Sequence, residues 1–160
     1  MRTALCALLA VLCPTLCLAG QTCKVVGISD GDTLTALCAS NQQVKIRLAE
    51  IDAPEKAQPF GERSKQSLSD LCFDREAEIN PLTTDRYGRT VARVHCEGTD
   101  ANAEQLRRGM AWVYDKYVAD RSLYALQDDA KAERRGLWVD KTPIQPWEWR
   151  RSSGLRKPAN

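Results

Sequence analysis

The alternation of apolar and polar residues predicts five short β-strands in this chain. In the third strand the apolar residues Val44, Ile46 and Leu48 stand at every second position, which is the period of a strand with one buried face. Asp30-Gly31 separates the first two strands and is a strong hairpin signal, because both residues tolerate a positive φ. The predicted strands cover residues 23–29, 33–38, 44–51, 75–79 and 89–96.

Three helices are predicted between and after these strands. The first covers residues 62–72 and connects the third strand to the fourth. The second follows Asp100 as its N-cap and stops before Gly109. The third follows Asp120 and stops at Gly136. A strand order interrupted by a helix in this way is that of the OB-fold, so the predicted class is α+β: a five-stranded Greek-key barrel with three packed helices.

The first nineteen residues differ in composition from the rest of the chain. Arg2 is their only charge, residues 4–18 are almost wholly apolar, and the stretch ends on the small residue Ala19. This pattern is typical of a secretory signal peptide cleaved after Ala19 or Gly20, and it is too short for a membrane anchor. We therefore expect a secreted or periplasmic protein without a membrane anchor.

The remaining chain is predicted to form one domain and a short tail. Residues 20–149 are long enough for a single core, and we expect a monomer, with a basic tail at 150–160 that is loose beyond Trp149. Removing residues 1–19 takes away one arginine, so 23 basic residues become 22 against 21 acidic ones, and the net charge falls from +2 to +1. Overall charge therefore does not indicate a nucleic-acid partner, and any attraction must come from a local patch.

Four of the seven cysteines remain after cleavage, namely Cys23, Cys38, Cys72 and Cys96. In an exported chain they suggest two disulfides, for which three pairings exist. If Asp30-Gly31 is a two-residue turn, paired positions add up to 61, and 23 then lies opposite 38 as a hydrogen-bonded pair with Cα atoms about 5.5 Å apart. A β-bulge would shift this register. We predict Cys23–Cys38, and by elimination Cys72–Cys96.

Acidic residues follow the third strand closely. Glu50, Asp52 and Glu55 occur within six positions, and Pro54 prevents the strand from continuing. Together with Arg47 they suit a site for a metal ion and a phosphate, although a solvated acidic turn has the same composition. Arg47 and Asp52 differ by an odd number, so an ideal strand would place them on opposite faces. A site therefore requires a bend, a bulge or a strand end between them.

Asp32 and His95 are two further candidates. Asp32 stands just after the predicted turn and is not needed to form it. The spacing of Asp30-Gly31-Asp32 is similar to the start of an EF-hand loop, but no glycine follows at the sixth position and no glutamate at the twelfth, which excludes that site. His95 is the only histidine, so zinc sites and histidine-based mechanisms lack ligands, and we interpret it as structural.

Five motifs in a fixed order carry a family resemblance. They are DGDT at 30–33, RL at 47–48, IDAPE at 51–55, DRYGR at 85–89 and GLW at 136–138. Each motif alone is weak, but their order and spacing resemble the staphylococcal nuclease family over residues 25–149. The resemblance implies an OB-type barrel with packed helices and a calcium-dependent hydrolysis of phosphodiester bonds in DNA and RNA.

The resemblance also implies roles for individual residues. Asp32 and Asp52 would hold the calcium ion, together with the main-chain carbonyl of Ala53. Calcium prefers hard oxygen ligands, and this set leaves room for waters and a phosphate oxygen. The family's best-known member has threonine where this chain has Ala53. A carbonyl ligand does not need the side chain, but a hydroxyl that could order a metal-bound water is lost.

The remaining roles concern the substrate. Glu55 would act as general base for the attacking water, because a carboxylate near a metal can take its proton. Arg47 and Arg89 would contact the phosphate, whose oxygens match the two parallel hydrogen bonds of a guanidinium. Tyr87 would lie beside the bound nucleotide. The two tryptophans of WEW at 147–149 also recur in this family, and we expect them to pack the tail on the barrel rather than stack on bases.

Three functions compete at this point. The leading hypothesis is an exported calcium-dependent nuclease that acts on DNA and RNA, with single strands favoured. The second is a non-catalytic OB-fold module that binds single strands by stacking and charge. A structural calcium-binding protein is the third, and it leaves Arg47 and Arg89 unexplained. The acids favour the nuclease, because a pure binder gains nothing from carboxylates that repel its ligand.

Overall fold

The structure is a computed structural model that describes residues 20–155. The predicted signal peptide, residues 1–19, and residues 156–160 of the predicted tail lie outside the described residues. The strands of this described part are β1 Gln21–Asp30, β2 Thr33–Leu37, β3 Gln43–Leu48, β4 Ile51–Asp52, β5 Glu76–Thr84, β6 Thr90–Cys96, β7 Thr99–Asp100 and β8 Trp112–Val113. The α-helices are α1 Gly61–Cys72, α2 Ala101–Arg107, α3 Leu123–Ala132 and α4 Pro146–Leu155, and short 3-10 turns occupy Ala39–Asn41 and Gly136–Val139.

Five of the strands close into a barrel. β1 pairs antiparallel with β2 and β5, β2 pairs with β3, and β5 pairs with β6. β3 then meets β6 in parallel register, with Ile46 beside Thr90, and this pairing closes the barrel. The inward side chains that alternate along the strands, such as Val25 and Leu34, are fully buried. The predicted OB-fold barrel is confirmed.

The hairpin of β1 and β2 departs from the predicted turn. The two turn residues are Gly31 and Asp32, and Asp30 pairs with Thr33, so the positions next to the turn add up to 63. Two register shifts in β1 then bring the sum to 61 where Lys24 pairs with Leu37. The predicted turn position is therefore wrong by one residue, while the register at the open end of the hairpin is the predicted one.

Two disulfides, Cys23–Cys38 and Cys72–Cys96, are present, and these are the predicted pairs. The Cα atoms of the first pair lie 4.4 Å apart. This is the spacing of a non-hydrogen-bonded pair, not the roughly 5.5 Å expected from the simple turn. The second disulfide joins the last residue of α1 to the last residue of β6 and so anchors the helix on the barrel.

The predicted N-cap residue is confirmed for α2 and wrong for α3. Asp100 caps α2, because its side chain accepts a hydrogen bond from the Ala103 N–H at 3.0 Å. Asp120 does not cap α3. The helix begins at Leu123, and the Asp120 carboxylate instead accepts from the Ser122 N–H at 3.0 Å and from Arg93 at 3.3 Å.

A fourth helix is the main addition to the predicted fold. The sequence predicts three helices and a loose tail beyond Trp149, but α4 continues through that position to Leu155. Its first residue, Pro146, is buried, and a proline at a helix start costs no hydrogen bond. Within residues 20–155, no helix has both the length and the apolar character that crossing a bilayer requires.

Two segments of the main chain are in direct contact just after α2. Gly109 and Gly136 both have positive φ, and the Leu137 N–H donates to the Gly109 carbonyl at 2.9 Å. A Cβ on Gly136 would overlap that same carbonyl oxygen, so only glycine allows this approach. This contact brings Trp138 onto Trp112 with ring centroids 4.3 Å apart, which forms a small second core beside the barrel.

Candidate active site

A turn between β3 and β4 brings the acids to the same side as Arg47. β3 ends at Leu48, and Glu50 takes the left-handed conformation with φ 65° before β4 begins at Ile51. β4 then pairs with β8, with Asp52 opposite Trp112. Of the bend, bulge or strand end that the odd spacing of Arg47 and Asp52 requires, the structure has a strand end, at Leu48 rather than at the predicted residue 51.

Arg47 joins the two carboxylates that the sequence places far apart. Its Nη2 donates to Asp52 Oδ1 at 2.8 Å and to Asp32 Oδ2 at 3.3 Å. Its Nη1 donates to the main-chain carbonyls of Leu48 and Ile51, both at 3.1 Å. Arg47 therefore fixes the β3–β4 turn and holds both acids, and little of its hydrogen-bonding capacity remains for a substrate.

Asp32 is held in the turn between β1 and β2 by neighbours on three segments. Its Oδ2 accepts from the Ala53 N–H at 2.9 Å, and its Oδ1 accepts from the Thr33 hydroxyl at 2.9 Å. The preceding Gly31 packs so closely that a Cβ there would lie 2.8 Å from the Ala53 Cβ. Gln105 of α2 donates to the Gly31 carbonyl at 2.7 Å. The barrel and α2 together therefore fix the position of this carboxylate.

Glu55 lies at the mouth of the site, and its side chain is 41% exposed. Gln58 accepts a hydrogen bond from the Glu55 N–H at 3.1 Å and thereby orders the loop after β4. The Glu55 Oε1 accepts from Arg150 Nη1 of helix α4 at 2.6 Å. The same guanidinium donates to both oxygens of Asp52, at 2.6 and 3.3 Å.

The hairpin between β5 and β6 supplies the opposite wall. Asp85 Oδ1 accepts from the main-chain N–H groups of Tyr87 and Arg89, and Gly88 takes the positive φ that the turn needs. The Arg89 Nε donates to Asp85 Oδ2 at 2.7 Å. Its Nη1 lies 3.4 Å from the Thr33 hydroxyl, so the guanidinium points toward the turn that carries Asp32.

All seven residues assigned to the site from the sequence line one open cavity of about 830 Å³, namely Asp32, Arg47, Asp52, Ala53, Glu55, Tyr87 and Arg89. Tyr87 is 68% exposed, with Arg86 4.8 Å from its ring centroid. Tyr114, Lys116 and Tyr117 line another side of the same cavity. His95 lies on β6 and does not line it, in agreement with a structural role.

Burial and charge act against each other in this cavity. Burial raises the pKa of Asp52, and the hydrogen bond from Arg150 opposes that rise. Burial, together with the nearby Asp32 carboxylate, raises the pKa of Asp30 to about 6. Burial also disfavours the charge of Arg47, but the carboxylates of Asp32 and Asp52 outweigh it and raise the pKa of the guanidinium. Burial therefore favours the protonated forms of Asp52 and Asp30, and the guanidinium groups of Arg47 and Arg150 partly oppose this effect at Asp52.

Glu50 has a structural role at the edge of the cavity. Its Oε1 accepts from the main-chain N–H groups of Ala119 and Asp120 at 2.7 and 2.8 Å. Its Oε2 accepts from Arg93 Nη1 at 3.0 Å, and Arg93 also pairs with Asp100 at 2.8 Å. Glu50 thus ties the β3–β4 turn to the segment that follows Tyr114.

The donor set at the acidic cluster fits a hard cation. Asp32 and Asp52 are almost fully buried and share Arg47 Nη2 as a partner. In the part of the chain that the structure describes, no three His, Cys, Asp or Glu side chains group as metal ligands. Two carboxylates are too few ligands by themselves, so a cation held by them would also need other oxygens, such as the main-chain oxygen of Ala53. Calcium accepts such a set, because water and substrate oxygens can complete its six to eight ligands.

Comparison with known proteins assigns the family. The family model described as Staphylococcal nuclease homologue matches residues 45–140, more than half of the chain. The chain belongs to the staphylococcal nuclease family. The matched range contains six of the seven cavity residues assigned from the sequence, with Asp32 just before it. Members of this family depend in general on a metal ion.

Several relatives are similar over most of their length. An uncharacterized endonuclease of Haemophilus influenzae is 48% identical over 135 residues, which are 84% of this chain and 76% of that protein. The micrococcal nuclease of Shigella flexneri is 40% identical over 141 residues, covering 81% of this chain and 80% of its own. Protein ParB of Escherichia coli is 40% identical over 145 residues, covering 84% and 81%. This staphylococcal-type nuclease is therefore an endonuclease and a hydrolase.

The sequence did not point to Arg150 as part of the nuclease site. Arg150 was assigned to the predicted basic tail. Trp147 was interpreted as packing, and it does pack, because its ring stacks on Tyr114 with centroids 5.4 Å apart at 7°. That stack places the following turn of α4 over the carboxylates. The only signal in the sequence was the PWEWRR composition at 146–151, in which basic residues follow aromatic ones.

Proposed function

We propose that this nuclease is an exported, calcium-dependent enzyme that hydrolyses phosphodiester bonds in DNA and RNA and favours single strands. The observation that best supports this is the shared cavity, in which two buried carboxylates, Asp32 and Asp52, lie near the more exposed Glu55 and opposite Arg89. The exposed Tyr87 and Tyr117 on its rim suit single strands, because unpaired bases stack on aromatic rings.

Export is supported by two features. Residues 1–19 have the composition of a secretory signal peptide. Four cysteines of the described chain form two disulfides, and such bonds persist in oxidising compartments such as the periplasm or the extracellular space.

Glu55 is proposed as the general base. Its carboxylate stands at the cavity mouth, where a water can reach it and give up a proton as its oxygen bonds to phosphorus. The bond between phosphorus and the leaving oxygen breaks in the same step, and the leaving oxygen takes up a proton from solvent water. Asp32, Asp52 and the Ala53 main-chain oxygen would hold the calcium ion, which when bound supplies positive charge to the phosphoryl oxygens.

The two arginines contribute differently in this proposal. Arg89 is tied to Asp85 but directs its Nη1 along the cavity, so it is the arginine that stabilises charge on the non-bridging oxygens. Arg47 uses four hydrogen bonds on carboxylates and carbonyls, so its main contribution is to place Asp32 and Asp52. Tyr87 lies beside the bound nucleotide.

Replacing Glu55 with glutamine tests the base assignment. Glutamine keeps the size of the side chain and can accept a hydrogen bond, but it cannot take the proton. We expect the cleavage rate of single-stranded DNA in calcium to fall by at least about 10²-fold. Calcium affinity should not weaken, because Asp32 and Asp52 remain.

The matched control is Glu62→Gln, which removes an exposed carboxylate in the first turn of α1. The cleavage rate of Glu62→Gln should equal that of the wild type. Chelation of calcium should stop cleavage by the wild type and by Glu62→Gln. Near-wild-type cleavage by Glu55→Gln, at unchanged circular dichroism, would exclude Glu55 as the base.

A further inference from the structure

Helix α4 inserts a positive charge into the acidic cluster. Arg150 donates from Nη2 to Asp52 Oδ2 at 2.6 Å, and from Nη1 to Asp52 Oδ1 at 3.3 Å and to Glu55 Oε1 at 2.6 Å. The Asp52 side chain is only 2% exposed, so Arg150 reaches a carboxylate that solvent hardly touches. Charge-assisted, two-pronged contacts of this kind are among the strong hydrogen bonds of proteins.

Helix α4 is anchored by residues that precede Arg150 in the sequence. Trp147 stacks on Tyr114 and lies edge-on to Trp112 with centroids 6.3 Å apart. Gln58 donates to the Ile144 carbonyl at 2.7 Å just before the helix. Because the helix is held at its start, the Arg150 side chain can leave the carboxylates by rotation about its own bonds while the start of α4 stays in place.

Arg150 and a cation require the same oxygens. A carboxylate offers about four lone-pair positions. Asp52 already accepts one hydrogen bond from Arg47 and two from Arg150, so at most one position is left. Displacement of Arg150 would free two positions on Asp52 and one on Glu55.

The charges of the acidic cluster also support an exchange of Arg150 for a cation. Asp32, Asp52 and Glu55 with Arg47 and Arg150 carry one net negative charge. A divalent cation in place of Arg150 would balance the charges of Asp32, Asp52, Glu55 and Arg47. The Asp52 side chain is only 2% exposed, so its charge needs a partner, either Arg150 or a cation, because uncompensated buried charge is costly.

We propose that Arg150 is an intramolecular competitor of the divalent cation and sets the cation affinity of the site. A bound cation releases the guanidinium from Asp52, and the same movement frees Glu55 to accept a proton. The coupling is reciprocal, so the Arg150 contact weakens cation binding as much as the cation weakens that contact. The identity of the cation as calcium rests on the proposed function.

The test is the calcium affinity of Arg150→Gln, measured by isothermal titration calorimetry without substrate. Loss of the competing contact should tighten binding by about tenfold to hundredfold, the range of one charge-assisted hydrogen bond. Arg151→Gln is the matched control, because it removes the same charge from the adjacent exposed position of α4, and its affinity should stay within about twofold of the wild type. Arg150→Lys keeps the charge without the two-pronged geometry and should lie between.

A second readout follows the helix itself. Saturating calcium should accelerate amide hydrogen exchange at residues 149–152 of the wild type, because this part of α4 loses the Arg150 contacts. In Arg150→Gln calcium should not change the exchange rate of these amides. Weaker or unchanged calcium binding in Arg150→Gln would overturn the proposal, because it would make Arg150 a support of the carboxylates. The same holds if Arg151→Gln tightens binding equally.

The outcomes separate this proposal from the nuclease mechanism. If the wild type cleaves DNA in calcium but Arg150→Gln binds calcium no more tightly, the competitor role is wrong and the proposed function stands. If Arg150→Gln binds more tightly while Glu55→Gln cleaves normally, the base assignment is wrong and the competitor role stands. Terbium, a hard cation with its own luminescence, replaces calcium in the same titrations if the wild type binds calcium too weakly to measure. Failure of Arg150→Gln to bind either ion more tightly than the wild type refutes the competition.

Discussion

Replacing Gly31 with alanine is expected to destabilise the protein, because the added Cβ would clash with neighbours of the turn that carries Asp32. A Cβ at this position would overlap the Ser64 hydroxyl and would lie 2.7 Å from the Ser64 Cβ and 2.8 Å from the Ala53 Cβ. The hydroxyl can rotate away, but the two Cβ atoms are fixed to the backbone of α1 and of the loop after β4. One of these segments must therefore move.

The magnitude follows from these contacts. Overpacking of a tight site costs typically about 1–3 kcal/mol, and two immovable neighbours place Gly31→Ala near the upper end. Rotation of Ser64 also breaks its hydrogen bond to the Met110 carbonyl, which is 2.6 Å long and contributes about 1 kcal/mol. We expect the free energy of unfolding to fall by about 4 kcal/mol in total.

Urea denaturation followed by circular dichroism measures this change. Gly27→Ala, on the strand β1 that leads into this turn, is the matched control, because the atom nearest to its Cβ would be the Thr35 Cβ at 3.7 Å, an ordinary contact. In a Ser64→Gly background the cost of Gly31→Ala should shrink by at least about 1 kcal/mol, since one obstacle is gone. A Gly31→Ala protein with the urea midpoint of the wild type would refute the packing explanation.

Two further outcomes are expected. Glu50→Gln should lower the free energy of unfolding by about 2–3 kcal/mol, because Arg93 loses a buried anionic partner and the amides at 119–120 lose a charged acceptor. The control Glu76→Gln, at an exposed position, should stay within about 0.5 kcal/mol of the wild type in the same urea titration. Intact-mass spectrometry of the protein from the exporting host should show loss of residues 1–19 or 1–20, and a mass that retains Met1 on most molecules would contradict export.

The barrel could be predicted from the sequence because its strands obey a strict two-residue period. The cysteine pairing shows a limit of that reasoning. The turn lies one residue later than predicted, and two register shifts in β1 restore the pairing of Cys23 with Cys38. Bulges depend on how strands twist around a closed barrel, and a local pattern does not contain that information.

The site was predictable where it depends on local chemistry and not where it depends on tertiary packing. The odd spacing of Arg47 and Asp52 correctly required a bend, a bulge or a strand end between them, and the structure has a strand end there, with Glu50 at positive φ. Arg150 could not be placed, because its position depends on the stacking of Trp147 on a tyrosine from a distant segment. The hydrogen bonds of Arg47 to the carbonyls of Leu48 and Ile51 could not be predicted for the same reason, because they form only once the β3–β4 turn is folded.

The contact between Gly109 and Gly136 has a consequence for how this protein can evolve. Trp112 and Trp138 meet because the two backbones touch, and Trp112 in turn contacts Trp147, which carries α4. Drift at surface loops leaves this chain of aromatic contacts intact, whereas any side chain at either glycine would separate the backbones and shift all three indoles. The placement of the C-terminal helix therefore depends in part on two positions outside it that have no side chain.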